Sequence, residues 1–155
     1  MKRLLGASLV LALLLALLLV GCSGSDSEEE SGSMKVWGYV VAPENAELEL
    51  AEEQRGADEL VVERVLSPGD AWIVVHADDN GMPGERVGLA HIDSGETSDV
   101  RIALDGVTTD KVIVAVHADR GTPGEFDFDM MNKEMSPDRP YFVDEKELAK
   151  VVVVR

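Results

Sequence analysis

A near-repeat restricts the fold of this chain more than any other feature. Trp72–Glu85 (WIVVHADDNGMPGE) and Val112–Glu125 (VIVAVHADRGTPGE) share an apolar run, then His-Ala-Asp, one or two variable residues, and Gly-x-Pro-Gly-Glu. The histidines, His76 and His117, lie 41 residues apart, too close for two separate domains. Two similar strand–turn–strand units inside one domain, related by pseudo-symmetry, satisfy that spacing. In each unit Asp supports an Asx-type turn, Pro fixes φ and Gly supplies positive φ. The chain is then expected to re-enter a strand at Arg86–Ala90 and at Phe126–Asp129.

Short β-type runs surround the two units. Val36–Val41 is aromatic and β-branched, and Ala46–Leu50 alternates, with Leu48 and Leu50 on one face and Glu47 and Glu49 on the other. Glu59–Leu66 is closed by the turn signal Ser67-Pro68-Gly69-Asp70. Ala71–Ala77 is continuously apolar, as a buried central strand requires. Asp99–Leu104, Lys111–Ala118, Glu125–Asp129 and Leu148–Val154 follow at short spacing. Regular short strands between turns predict an all-β fold, an immunoglobulin-like antiparallel β-sandwich of about 7–9 strands. Two stretches stay open. Pro43–Arg55 reads as strand or short helix, and Pro140–Lys150 holds a candidate helical turn around Glu145–Ala149.

The N-terminal residues are a targeting segment rather than part of that fold. Lys2 and Arg3 precede Leu4–Val20, an uncharged, leucine-rich run of 17 residues. That falls slightly under the roughly 20 needed to span a bilayer core. The run ends in Leu19-Val20-Gly21-Cys22, which resembles the lipobox of bacterial lipoproteins. The resemblance implies cleavage before Cys22, a diacylglyceryl group on its thiol and a further acyl chain (palmitate or similar) on the new amine. Two or three chains anchor stably where one binds reversibly. A plain signal peptide with a free thiol, or an uncleaved anchor, are the alternatives. Ser23 after the cysteine favours outer-membrane delivery in Gram-negative relatives. The domain boundaries expected are therefore a signal at 1–21, an acidic Ser/Gly tether at 22–33 and the β domain at 34–155.

Cys22 is the only cysteine, so the domain has no internal disulfide and no thiolate metal site. The chain carries 14 basic and 30 acidic residues. Loss of Lys2 and Arg3 with the signal leaves 12 basic against 30 acidic side chains, a balance of −18. Such a surface repels nucleic acid and anionic headgroups, so no nucleic-acid partner is expected. A high-salt habitat would screen the self-repulsion.

Val74–Asp78, Gly81–Gly84, Val100–Asp105, Val114–Asp119 and Gly124–Phe128 together resemble an uncharacterised β module of halophilic archaeal surface proteins and bacterial lipoproteins. The resemblance covers roughly residues 57–155 and implies a domain of unknown function with no catalytic residues to carry over. Residues 34–56 fall outside it and are expected to add a strand or hairpin.

Chemistry, if present, centres on the histidines. His76 and His117 at equivalent strand ends suggest a metal site with Asp78 and Asp119 as ligands or orienting groups. His91, Met82, Met130, Met131 and Met135 are further soft candidates for copper. The competing reading is that each histidine bonds its own turn, with Asp78 or Asp119 as partner. Asp78-Asp79-Asn80-Gly81 is a weak start to a calcium loop, because it lacks the alternate acids and distal Glu, and Arg120 replaces the acids in the second copy. Trp37, Tyr39, Trp72 and Tyr141 form either a sugar platform or packing. No Gly-x-Ser-x-Gly, His-Glu-x-x-His or phosphate-binding glycine loop occurs, so no enzyme and no obligatory cofactor is expected. The leading expectation is a non-enzymatic, membrane-anchored module facing the periplasm or cell exterior, displayed toward an envelope or protein partner. The alternative is an envelope protein binding copper, zinc or calcium.

Overall fold

The computed structural model describes residues 35–36, 39–41 and 46–155. Residues 1–33, with Cys22, the signal and the tether, lie outside the described residues, as does Trp37. Twelve strands follow in chain order: β1 (Lys35–Val36), β2 (Tyr39–Val41), β3 (Glu47–Glu49), β4 (Glu53–Gln54), β5 (Glu59–Ser67), β6 (Ala71–Asp79), β7 (Met82–Ile92), β8 (Gly95–Ala103), β9 (Lys111–Ala118), β10 (Tyr141–Val143), β11 (Lys146–Glu147) and β12 (Ala149–Val154). Among the described residues there is no α-helix, and one 3-10 turn at Met130–Asn132.

The arrangement is all-β and sandwich-like. One sheet runs β4-β12-β9-β6-β7 and a second runs β3-β5-β8, with a small third sheet of order β1-β2-β10-β11. Only six strands reach six residues. The strand count exceeds the expected range because β1, β2, β4, β10 and β11 are two- or three-residue pairings. Two contacts are parallel, β12 with β4 and β10 with β2, which departs from a purely antiparallel sandwich.

Periodicity explains the core. Leu48 and Leu50 are buried while Glu47 and Glu49 are exposed, as their alternation predicts. Leu60, Val62 and Val65 of β5 and Ile102 of β8 meet Ile73 and Val75 of β6 and Val112, Val114 and Val116 of β9. Gly88 of β7 pairs with Val75 of β6 and faces the β8 side of the core. A Cβ there would come within 2.8 Å of Leu104 Cδ2 and 3.0 Å of Ile102 Cγ2. The Ser67–Asp70 turn carries the chain from β5 in one sheet to β6 in the other, with Ser67 Oγ donating to the Gly69 carbonyl at 2.6 Å.

Two open readings resolve locally and one expectation fails. Residues 46–55 hold β3 and β4, so this described part of 43–55 takes the strand reading and not the helical one. Glu145–Ala149 is no helical turn. Asp144 and Glu145, at φ 49° and 62°, form a two-residue hairpin turn between β10 and β11. Residues 125–129 form no strand, for a reason that belongs to the site.

Candidate functional site

The site lies on the face of the five-stranded sheet that does not meet β5 and β8. Register pairs Trp72 with His117, Val74 with Ala115 and His76 with Ile113, so these six side chains share one face. Their neighbours on β6 and β9 point into the sandwich core. Both faces are therefore covered, which is why β6 and β9 read as unbroken apolar runs. His76 and His117 flank the Val74–Ala115 pair, and their ring centroids lie 6.3 Å apart. The side chains are 3% and 2% exposed.

Each copy of the repeat then does something different. After β6 the chain turns in two residues, Asn80 and Gly81, at φ 55° and 87°, and pairs back as β7. Asp78 Oδ1 accepts the Gly81 N–H at 2.8 Å, so this carboxylate holds the hairpin tip. Register shifts in the β6–β7 pairing on either side of His76 bring the Gly84 carbonyl within 3.0 Å of His76 Nδ1. After β9 the chain instead makes a long excursion, residues 119–140, across the site.

Asp138 organises that excursion. It is fully buried, and its Oδ1 accepts the N–H groups of Arg120 and Gly121 at 2.8 and 2.9 Å. Its Oδ2 accepts the Asp127 N–H at 2.7 Å. The Asp129 N–H donates to Ser136 Oγ, and Asp129 Oδ1 caps the 3-10 turn through the Met131 N–H. Phe126 and Phe128 are thereby laid over the sheet without a strand ladder. Phe128 meets the His117 ring edge-on at 4.7 Å. Phe126 packs edgewise on Trp72 and His117 at 5.7 and 5.6 Å, with the Arg86 guanidinium over its other side at 5.3 Å.

The two imidazoles have the same hydrogen-bonding pattern. His76 Nδ1 faces the Gly84 carbonyl, and His117 Nδ1 faces the Asp138 carbonyl at 2.9 Å. A carbonyl only accepts, so each Nδ1 carries the proton and donates. Burial lowers the pKa of both rings, that of His117 to about 3, opposed by these hydrogen bonds. Both rings are therefore neutral near pH 7, and each Nε2 holds a free lone pair. Neither Nε2 makes a hydrogen bond to a described residue.

The rings open onto a cavity of about 350 Å³. Phe128, Pro83 and Pro140 give it apolar walls, and Met82, Met130, Lys133 and Glu147 stand around it. Burial raises the pKa of Glu147, against the pull of Lys133. Protected lone pairs beside an accessible space suit this site to a ligand that donates a hydrogen bond or accepts an electron pair.

The sequence-derived set of His76, His117, Asp78 and Asp119 is thus brought together only in part. The histidines converge and the aspartates do not. Asp119 Oδ2 accepts from the Gly124 N–H at 2.9 Å and lies 3.0 Å from His91 Nε2. His91 in turn packs edgewise on Trp72 at 4.8 Å. Among the described residues no group of three or more His, Cys, Asp or Glu side chains is placed to hold a metal ion. Of the four methionines considered, Met82 and Met130 reach the cavity, whereas Met131 and Met135 do not line it. Trp72 and Tyr141 are buried and form no sugar platform. The residues that sequence reasoning missed are Phe126, Phe128 and Asp138. The one signal for Asp138 was its position between Pro137 and Pro140.

Fold and site together define a β-sandwich-like module with a paired, neutral histidine pocket under an aromatic flap. Residues 46–154 match the family described as Domain of unknown function (DUF7282), and the chain belongs to that family. The match begins ahead of residue 57, where the sequence resemblance was expected to start. The difference is structural, because β3 lies in the β3-β5-β8 sheet and contributes Leu48 to the core. No curated protein and no solved structure matches the chain.

Proposed function

We propose that this chain is a lipid-anchored, extracytoplasmic binding module without catalytic activity, and that the cavity beside His76 and His117 is its ligand site. The observation that carries the ligand site is the pair of buried imidazoles that line one cavity and whose Nε2 atoms make no hydrogen bond to a described residue. An imidazole acceptor beside space for a ligand marks a place where binding gains a hydrogen bond or a dative bond. The anchor rests on Leu19–Cys22 and the acidic tether behind it. The absence of catalysis rests on the absence of nucleophile and phosphate-binding motifs from the sequence.

Two experiments test this reading. Cys22→Ser is expected to release the protein from the membrane fraction, and continued tight membrane association contradicts the anchor. For the site, the full chain extracted in detergent is melted against a panel of Cu(I), Zn²⁺, Ca²⁺, oxyanions, small organic acids and sugars. A ligand at about 100 times its Kd adds about 2.7 kcal/mol to the folded state. At least one panel member should raise the midpoint by several degrees in the wild type and not in His76→Phe. No shift across the panel contradicts the site.

A further inference from the structure

We infer that the pocket takes a single soft metal ion, monovalent copper, held by His76 Nε2 and His117 Nε2 with the thioethers of Met82 and Met130 completing the set. This rests on the cavity being the ligand site and names what fills it.

Ring separation is the first argument. An ion about 2.0–2.1 Å from each Nε2 stands roughly 3.2 Å from each ring centroid, so two imidazoles share one ion at centroid separations up to roughly 6.4 Å. The observed 6.3 Å lies just inside that limit, so one shared ion requires the two Nε2 atoms to face each other across it. Monovalent copper accepts such an arrangement, whereas zinc demands a tetrahedron of N, S or O donors. The donor inventory points the same way. Glu147 is a carboxylate at the cavity, but no group of three or more His, Cys, Asp or Glu side chains among the described residues is placed to hold a metal, which disfavours zinc and the oxygen-rich shell calcium requires. Thioethers, in contrast, select Cu(I).

Methionine placement is the third argument. Met is ordinarily a core residue. Here all four described methionines, Met82, Met130, Met131 and Met135, are exposed. Two of them stand at the histidine cavity, one from the β6–β7 hairpin and one from the 3-10 turn of the flap. An unbranched side chain with three rotatable bonds can swing its sulfur onto an ion between the rings. The second-sphere geometry is also in place, since each Nδ1–H donates to a backbone carbonyl, the contact that fixes ring orientation in metal-ligating histidines.

The test is an anaerobic titration of the detergent-extracted full chain with Cu(I), kept reduced by ascorbate, against a chromophoric Cu(I) chelator. Spectra of methyl-¹³C methionine are recorded alongside. The expected result is one Cu(I) per chain, with the Met82 and Met130 methyls shifting and those of Met131 and Met135 unmoved. Met82→Leu with Met130→Leu, both at exposed positions that leave the core intact, should weaken binding beyond the roughly 10–100-fold typical of outer-sphere losses. His76→Phe should abolish competition with the chelator. Failure to compete, uniform methyl shifts, or unchanged affinity in the double methionine variant overturns the copper assignment. If copper fails while another panel member still stabilises the chain through His76, the pocket stands and only its occupant is wrong. If nothing binds, both fall.

Discussion

Mild acid should destabilise this domain through His117. The ring is 2% exposed, and burial holds its pKa at about 3 against 6.5 for an unfolded chain. Because the folded pKa is the lower one, the unfolded state binds more protons as pH falls. The stabilisation is complete above the unfolded pKa and erodes as pH drops from there toward 3. Between about pH 7.5 and about pH 5 this linkage removes roughly 2 kcal/mol of folding free energy. His76, also lowered by burial, acts in the same direction. Relief of charge repulsion on the acidic surface acts oppositely, as does Glu147, whose pKa is raised. A variant comparison therefore isolates the effect. His117→Asn keeps an N–H for the Asp138 carbonyl and cannot be protonated in this range. Urea unfolding followed by tryptophan fluorescence should show the wild type losing about 2 kcal/mol more than the variant over that interval, although the variant is the less stable near neutrality. Parallel pH profiles for the two proteins would refute the claim that His117 is buried neutral.

Three further outcomes follow from named contacts. Asp138→Asn replaces one accepting oxygen with an N–H group, so at least one of the Arg120, Gly121 and Asp127 amides loses its partner. The cost should be about 1–3 kcal/mol, with faster hydrogen exchange at those three amides, and unchanged exchange would contradict the role given to Asp138. Gly88→Ala drives a methyl into Leu104, Ile102 and the Val75 Cβ, and should cost about 1–3 kcal/mol in a melt. Arg64 bridges Glu47, Glu49 and Glu96, but the carboxylates are about half exposed, so Arg64→Met should cost less than about 1 kcal/mol.

The sandwich was readable wherever periodicity and burial coincide. Ala71–Ala77 and Lys111–Ala118 declared themselves as central strands because both faces are covered, and Ala46–Leu50 as a one-sided strand because only one is. What misled was a pattern satisfied in another way. Phe126-Asp127-Phe128-Asp129 alternates like a strand, and its phenyl rings do face one surface. Its backbone donors, however, go to Asp138 and Ser136 side chains instead of a ladder. The Asp144-Glu145 turn was missed because neither residue is glycine, yet both adopt positive φ. The histidine pair was legible from the near-repeat. Its true partners are backbone carbonyls of Gly84 and Asp138, and a carbonyl carries no sequence signature. Nor did the repeat reveal that one copy makes a hairpin and the other a flap, since a single missing residue beside Asn80 separates them.

Two neutral rings with bare Nε2 atoms are what a ligand would meet in this pocket. Long-range ¹H–¹⁵N spectra of the full chain near pH 7 observe this directly. His76 and His117 should both appear as Nδ1–H tautomers, with unprotonated Nε2 resonances that move when Cu(I) is added. A protonated ring, an Nε2–H tautomer at either position, or Nε2 signals indifferent to every ligand tried would contradict the pocket as a binding site.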